Sequence, residues 1–238
     1  MKMRKFWPLL MAGSVGAMGL SSASAESFQL LVGSYTAGAS QGIYRMSFDS
    51  ATGQIEAKPL QVVKSENPSW LTLSKDQKRL FVVNENGPGQ TDPVGRVSSY
   101  AIDPKTHALS LINQVQSLGN EPTHSSLSHD ASHLFVSNYS VMEDPGGTLA
   151  VLPVGADGKL KPVVQMSAHP ASRVNPERQA SNHVHSTVSS PDGRYVFSND
   201  LGADKVFIYQ FDPKANPELP LTPAKTAAVP VPAGSGPR

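Results

Sequence analysis

The chain has 238 residues, with 20 basic and 19 acidic side chains, a formal net charge of +1 and no cysteine. Without cysteine it has no disulfide, no thiolate zinc site and no thiol catalysis. The near balance of charge favours neither nucleic acid nor an anionic membrane surface as a partner.

The first 25 residues predict a secretory signal peptide. Three basic residues within the first five precede an apolar run of about 15 residues, and Ala-Ser-Ala at 23–25 has the small side chains of a cleavage site. The run is shorter than the roughly 20 residues of a transmembrane helix. Cleavage before Glu26 leaves 17 basic and 19 acidic residues, a mature net charge of −2. We expect a periplasmic or secreted protein without membrane attachment, whose single domain covers 26–238.

Three segments of the mature chain resemble one another. They begin at Asn67, Glu121 and His183, at spacings of 54 and 62 residues, and read NPSWLTLSKDQKRLFVVNEN, EPTHSSLSHDASHLFVSNYS and HVHSTVSSPDGRYVFSNDLG. Each has two short runs rich in β-branched and aromatic residues around a turn, and a third and a weaker fourth run follow. Four antiparallel strands at this period predict the blades of an all-β propeller. A two-sheet sandwich is the alternative, but it does not require the same terminal residues three times.

Both ends of the mature chain predict parts of further blades. The segment before Asn67 supplies roughly three strands of an incomplete blade. The Gly-Pro-Arg at 236–238 matches the beginning of the repeats, so a new innermost strand is expected there. A propeller removes its sheet edges by closing its ring. We therefore expect a C-terminally truncated part of a longer ring, with a closed four-bladed ring as the alternative.

Polar residues from several blades are expected to meet at one face of the propeller. In an antiparallel pair the start of the first strand and the end of the second lie at the same face. Loops that converge around a channel mouth form the concave sites in which small molecules bind. The predicted catalytic residues there are His185, Arg178, His124 and Glu85, and the predicted substrate-binding residues are Gln179, His183, Asp200 and Arg238.

Each candidate has a structural alternative. The His-x-His at 183–185 could hold a metal, or one ring could pack on a neighbouring blade while the other binds a backbone carbonyl; no metal or cofactor is predicted. Arg178 and Arg238 suit a carboxylate or phosphate, or could form inter-blade salt bridges. Glu85 and Asp200 could cap turns.

Other polar and aromatic residues have weaker claims to function. Gln179 could orient a substrate hydroxyl or bridge two loops. Trp70 is expected to pack. An asparagine recurs after every second strand and is expected to form turns; the series is Asn84, Asn138 and Asn199. The remaining histidines are expected to be solvated surface groups; they are His107, His129, His133 and His169.

These segments resemble the seven-bladed propeller lactonases, the family of propeller-type 6-phosphogluconolactonases that is related to fungal carboxymuconate lactonising enzymes. VGSYT, NPSWLTLS, LFVVNENG, ERQASNHVHS, SPDGRYVFSNDLGADKVFIYQFD and AGSGPR carry the resemblance over 28–238, most specifically over 178–209. Asn182 stands where the family often has proline, and the family's GSGPRHL motif stops after Arg238. The resemblance implies a seven-bladed propeller, with about half to two-thirds of the ring in this chain.

The resemblance also implies an activity, the hydrolysis of a sugar lactone to its aldonic acid in carbohydrate metabolism. Water must attack the ring carbonyl, so His185 or His124 is the expected base and Arg178 the ligand of the oxyanion or acid group. Glu85 and Asp200 would orient a histidine or bind sugar hydroxyls. The expected partner is a small lactone, unphosphorylated if the enzyme is exported, and the full-length protein is expected to be monomeric. The alternatives are a non-catalytic exported propeller that binds a ligand or partner and a muconate cycloisomerase.

Overall fold

The computed structural model describes residues 27–142 and 146–238, so the predicted signal peptide lies outside the described residues. The regular secondary structure assigned in these two stretches consists of β-strands, which form four antiparallel sheets of four strands each. In this part of the chain, no helix has the length and apolar character required to cross a bilayer.

The first sheet has three strand positions, as the sequence predicts. Strand β1 (Ser27–Gly33) pairs with β2 (Gly42–Asp49). The opposite edge of β2 is divided between β3 (Gln54–Ile55) and β4 (Gln61–Lys64). The predicted incomplete blade is therefore one in which two short strands share the outermost position.

The other three sheets each have four strands that pair in chain order, and each innermost strand begins one residue after the start of its sequence repeat. Innermost strands of neighbouring sheets pack on one another, which is the arrangement of propeller blades and not of a two-sheet sandwich. Blade 2 contains β5 (Pro68–Leu73), β6 (Arg79–Asn84), β7 (Arg96–Ile102) and β8 (Leu109–Gln116); blade 3 contains β9 (Pro122–Leu127), β10 (His133–Asn138), β11 (Thr148–Pro153) and β12 (Gln165–Ala168); blade 4 contains β13 (Val184–Ser189), β14 (Tyr195–Asp200), β15 (Lys205–Phe211) and β16 (Leu221–Pro230).

The hydrophobic core lies between the blades. Leu134 and Val136 of β10 pack with Phe81 of blade 2, whereas Phe135 between them packs with Val196 of blade 4. This alternation follows from the period of two in a strand, and it explains why β10 is apolar at successive positions. The inter-blade clusters fix the angle between neighbouring blades, and with it the position of the loops at their ends.

Each complete blade has a β-bulge near the start of its innermost strand. The pairing register shifts by one residue at Ser69 in β5, at Thr123 in β9 and at His185 in β13. A bulge leaves one residue without a ladder partner and changes the direction of its side chain. Because His185 is the bulged residue of β13, regular strand alternation does not determine the direction of its side chain.

The register also corrects the sequence alignment of the second strands. Strands β6, β10 and β14 end opposite the first residue of their innermost strands, at Asn84, Asn138 and Asp200. The predicted series with Asn199 in third place is thus displaced by one residue, and Asp200 is the equivalent of the two asparagines.

The hydrogen bonds that follow confirm this equivalence. In each blade the residue after the second strand donates its N–H to the carbonyl of the residue before the innermost strand. We call the face formed by these two sets of residues the rim. The donor–acceptor pairs are Glu85 and Asn67 at 3.0 Å, Tyr139 and Glu121 at 2.9 Å, and Leu201 and His183 at 2.9 Å.

Candidate active site

Four blades contribute side chains to the rim. Tyr35 follows β1, Glu85 follows β6 and Tyr139 follows β10, while His183 precedes β13. Between blades 3 and 4 the rim encloses a cavity of about 370 Å³ that Tyr139, Arg178 and His183 help to line. Several of the predicted side chains are therefore near one another, as the antiparallel geometry requires.

His183 is held in one orientation by its surroundings. Its ring is stacked on the ring of Tyr139, with centroids 4.5 Å apart and planes 11° apart. Its Nδ1 lies 2.9 Å from the Tyr139 carbonyl. A carbonyl only accepts, so Nδ1 carries the proton and Nε2 of the neutral ring keeps its lone pair. His183 thus itself packs on a neighbouring blade and binds a backbone carbonyl, the two contacts that the structural alternative divided between the two histidines.

No third ligand joins the two histidines of this segment. Within 27–142 and 146–238, no group of three or more histidine, aspartate and glutamate side chains is arranged to hold a metal ion.

His185 lies against the edge of the Tyr139 ring, with centroids 5.7 Å apart and planes 87° apart. Burial lowers the pKa of His185 below its ordinary value, and the charges of Arg238 and Arg178 lower it further. The imidazole is therefore neutral at pH 7, and a neutral imidazole can accept a proton from water.

His124, in β9, contacts Trp70, with ring centroids 4.5 Å apart. The backbone N–H of Thr187 donates to His124 Nδ1 at 3.3 Å. Burial, with a smaller contribution from His185, lowers the pKa of His124 to about 4. The neutral ring therefore has its proton on Nε2 and its Nδ1 lone pair already in use. The prediction that His124 could be the base is contradicted, since the structure makes it a hydrogen-bond donor.

Arg178 and Arg238 extend from two loops at the rim and are both exposed. Neither guanidinium forms an ion pair with any residue that the structure describes, so the predicted alternative of an inter-blade salt bridge is not observed there. Both cations are close enough to His185 to lower its pKa. They remain available to an anionic group of a ligand.

Glu85 belongs to a small acidic group that the sequence analysis did not recognise. The Tyr35 hydroxyl is hydrogen-bonded to Glu85, and burial, with that bond, raises the pKa of Tyr35 to about 12. Glu121 Oε2 accepts the Val141 N–H at 2.7 Å. Burial raises the pKa of Glu121, and the charge of Glu85 adds to the effect. These residues present a protonated phenol and two carboxyl groups to the rim.

Glu121 could have been found from the sequence. It aligns with His183 at the start of a repeat, which is a sequence signal for a position at the rim. The structure adds that its φ of 51° is in the left-handed region, where glutamate is uncommon. Tyr35 gives no comparable signal, because its blade is incomplete and does not align with the three repeats.

Gln179 is 1% exposed and contacts protein on both sides of its amide. Its Oε1 accepts the Asn175 N–H at 3.1 Å, and its Nε2 donates to the Leu201 carbonyl at 2.9 Å. The predicted contact with a substrate hydroxyl is contradicted. Bridging of two loops, the alternative for this residue, is confirmed.

Asp200 has no exposed surface, so the prediction that it binds substrate directly is also contradicted. Its Oδ1 accepts the N–H groups of His183 at 2.8 Å and Ala203 at 3.1 Å. Its Oδ2 lies 2.8 Å from Nδ1 of His169. Asp200 instead holds the backbone of a residue at the cavity.

His169 and His133 are buried, so the prediction that they are solvated is wrong. His169 is stacked on Phe207 with centroids 3.6 Å apart, and its Nε2 lies 2.7 Å from the Tyr209 hydroxyl. His133 contacts the edge of an aromatic ring in β15. His107 and His129 are exposed, as predicted.

Together these groups form a site suited to attack on a carbonyl carbon. The neutral imidazole of His185 can accept a proton, Arg178 and Arg238 carry positive charge, and the neutral imidazole of His124 has an N–H group that can donate. A base, a cation and oriented donors are what addition of water to an ester requires.

Comparisons with known proteins agree with this geometry. A family model described as "Lactonase, 7-bladed beta-propeller" matches residues 29–238. The chain is 31% identical over 179 residues to a 6-phosphogluconolactonase of Bacillus subtilis (strain 168), covering 75% of this chain and 48% of that protein. It is 32% identical over 211 residues to a 6-phosphogluconolactonase of Formosa agariphila, covering 88% of this chain and 56% of that protein.

A solved structure is also similar over most of the chain. The periplasmic gluconolactonase PpgL of Pseudomonas aeruginosa is 56% identical with a TM-score of 0.85, covering 90% of this chain and 58% of that one. The chain thus spans about half the length of the curated relatives that it matches. The four observed blades agree with the predicted seven-bladed type and not with the closed four-bladed alternative.

Proposed function

The chain belongs to the seven-bladed β-propeller lactonase family, and from that premise we propose that the full-length protein hydrolyses a sugar lactone to its aldonic acid. The observation that carries the proposal is the surroundings of His185. Its neutral ring lies against the ring of Tyr139 at the rim, and the charges of two guanidiniums lower its pKa; neither guanidinium has an ion-pair partner among the described residues.

In this proposal His185 is the general base. It takes a proton from a water molecule as the water oxygen bonds to the lactone carbonyl carbon. Negative charge develops on the carbonyl oxygen, where Arg178 or Arg238 stabilises it. The ring C–O bond then breaks, and the imidazolium of His185 returns its proton to the leaving oxygen. The product is a hydroxy acid, whose carboxylate the arginines can also bind.

The remaining rim residues have supporting roles. The Nε2–H of His124 donates to a substrate oxygen, and the carboxyl groups of Glu85 and Glu121 accept hydrogen bonds from sugar hydroxyls. The lone pair of His183 Nε2 is a further acceptor at the cavity. The substrate is accordingly a polyhydroxylated lactone.

The place of the reaction is proposed from the leader sequence. A basic and apolar leader favours export, and the 56%-identical PpgL is named a periplasmic gluconolactonase. We therefore propose a periplasmic enzyme that acts on an unphosphorylated aldonolactone. We expect it to be a monomer.

The test uses the full-length protein with glucono-δ-lactone and with its 6-phosphate. His185→Ala and Arg178→Ala should each lower kcat/KM by about 10²-fold or more. His129→Ala is the matched control, because this exposed histidine lies in the β9–β10 turn at the end of the blade opposite to the rim. Unchanged turnover in both rim variants would reject the assignment. A preference for the phosphorylated lactone would reject the proposed substrate.

A further inference from the structure

Asp204, in the turn between β14 and β15, holds the loop that ends in Arg238. Its Oδ2 accepts the Gly234 N–H at 2.8 Å, and its Oδ1 accepts the Gly236 N–H at 2.9 Å. Its own carbonyl accepts the Val231 N–H at 3.0 Å. The side chain is buried, so these three bonds are shielded from water.

The same carboxylate also contacts the loop that carries Arg178. The side chains of Gln179 and Ser172 lie close enough to the Asp204 carboxylate to lower its pKa. Gln179 in turn accepts the Asn175 N–H, so the backbone turn that presents Arg178 is tied to Asp204 through one amide. Two loops that are distant in sequence therefore both contact the side chain of Asp204.

We propose that Asp204 is a positioning residue that fixes where the Arg178 and Arg238 guanidiniums lie relative to each other and to His185. The inference rests on the proposed function, in which these two cations bind the developing oxyanion and the product carboxylate. Neither arginine is held by an ion pair in the described part of the chain, so the loops alone determine where the charges lie.

The backbone conformation of the loop before Arg238 indicates that this loop is attached to Asp204 in a defined geometry. Gly236 has a φ of 55°, close to the 39° of Asn67 and the 51° of Glu121, which precede the innermost strands of blades 2 and 3. Arg238 therefore stands two residues after a left-handed residue, as the bulged Ser69 and Thr123 do. His185 is the bulged residue of the neighbouring blade.

The anchor is charged under the conditions in which the enzyme would work. Burial by itself would raise the pKa of Asp204, but the N–H groups of Gly236 and Gly234, with Gln179 and Ser172, hold it below the ordinary value. The carboxylate therefore accepts all of its hydrogen bonds at neutral pH, when His185 is neutral.

The experiment measures the pKa of His185 by NMR titration of its ring, with the resonance assigned from His185→Gln. The groups that face this ring are Arg178, Arg238, His124 and the ring of Tyr139. Asp204→Asn loses one acceptor and should release both arginines. The pKa of His185 should then rise toward its value in the Arg178→Ala/Arg238→Ala double variant, and kcat/KM should fall about tenfold or more.

Asp130→Asn is the control, because Asp130 binds Ser128 and Ser132 in a turn far from the rim. Both measurements should be unchanged in it. Gly236→Ala strains the Arg238 loop and leaves the Asp204 carboxylate in place, since the new Cβ would lie 3.0 Å from Leu201 Cγ at a positive φ. It should raise the pKa of His185 by less than Asp204→Asn does.

An unchanged pKa of His185 in folded Asp204→Asn and Gly236→Ala would contradict the proposal that Asp204 positions the two arginines. If Asp204→Asn does not fold, Gly236→Ala decides. A wild-type protein that hydrolyses no lactone would overturn the proposed function, and the pKa measurement would still decide whether Asp204 positions the arginines.

Discussion

The last residue of the second strand makes opposite hydrogen bonds in blade 2 and in blade 4. In blade 2 the Asn84 amide donates to the Glu66 carbonyl at 2.6 Å and to Ser65 Oγ at 3.0 Å, just after the outer strand of blade 1. In blade 4 the equivalent Asp200 accepts from His169, just after the outer strand of blade 3. The backbone junction is the same, but the polarity of the side-chain contact is reversed.

This reversal accompanies a change at the rim. Asn67 and Glu121 precede prolines in a left-handed conformation, and their N–H groups donate to Thr36 Oγ1 and to the Asn86 carbonyl. His183 precedes a valine, and its N–H donates to Asp200 Oδ1. A carboxylate at the junction thus supplies an acceptor that fixes the residue beside the cavity. The comparison indicates that a structural contact of blades 2 and 3 has become part of the site in blade 4.

Of the substitutions that test this difference between the blades, Asp200→Ala should have the largest effect on stability and activity. It leaves the N–H groups of His183 and Ala203 and the ring of His169 without their buried acceptor. We expect the free energy of unfolding to fall by about 3–5 kcal/mol. We also expect kcat/KM to fall about tenfold or more, because the backbone of His183 loses the acceptor that fixes it beside the cavity. Urea unfolding and lactone turnover measure the two effects.

Asn138→Ala is the matched control at the junction of blade 3. Its amide donates to Thr148 Oγ1 at 3.1 Å, and its Oδ1 is buried without a partner among the described residues. The free energy of unfolding should fall by about 1–2 kcal/mol, with kcat/KM unchanged. Equal losses of activity in the two variants would show that the junctions do not differ in function.

The fold was largely predictable, because strand periodicity and the repeat depend on residues close in sequence. The starts of β5, β9 and β13 and the meeting of blade ends at one rim followed from these patterns. The bulge at His185 was not predictable, since it depends on the pairing of β13 with β14. For the same reason Asn199 was aligned in place of Asp200.

The roles of individual residues were less predictable than the location of the candidate site. His124 resembles a base in sequence, but a backbone N–H from the neighbouring blade occupies its Nδ1. Gln179 and Asp200 lie in the segment most specific to the family, yet both are buried. A motif identifies residues that a site requires, but burial decides which of them touch a ligand and which support others.

Asn84→Asp should have an intermediate effect and gives blade 2 the side chain of blade 4. The new carboxylate oxygen would face the Glu66 carbonyl without an imidazole to donate to it. We expect a loss of about 2–3 kcal/mol in the free energy of unfolding at pH 7. Because burial raises the pKa of such a carboxyl in the folded state, the loss should be greatest above that pKa and should diminish as the pH falls toward 4.

Urea unfolding at pH 7 and at pH 4.5 measures this dependence, and Asn84→Ala, which has no titrating group, is the control. An equal loss for Asn84→Asp at both pH values would mean that the junction of blade 2 tolerates a charge. The difference in polarity between the blades would then not be required by their surroundings.

Tyr209→Phe should have the smallest effect, because it removes only the outermost partner of the blade 4 junction. Asp200 lies 2.8 Å from Nδ1 of His169, and the Tyr209 hydroxyl is the partner of Nε2 on the other side of the ring, at 2.7 Å. Burial raises the pKa of Tyr209, so the phenol remains a donor throughout the neutral range.

The substitution leaves one buried lone pair without a donor, which should cost about 1 kcal/mol in the free energy of unfolding. It leaves both oxygens of Asp200 bound, so kcat/KM should match the wild type. Tyr195→Phe, at the far end of β14, is the control and should change stability by less than about 0.5 kcal/mol. A tenfold loss of turnover in Tyr209→Phe would extend the supporting network of His183 as far as β15, beyond the contact between Asp200 and His169 that distinguishes blade 4.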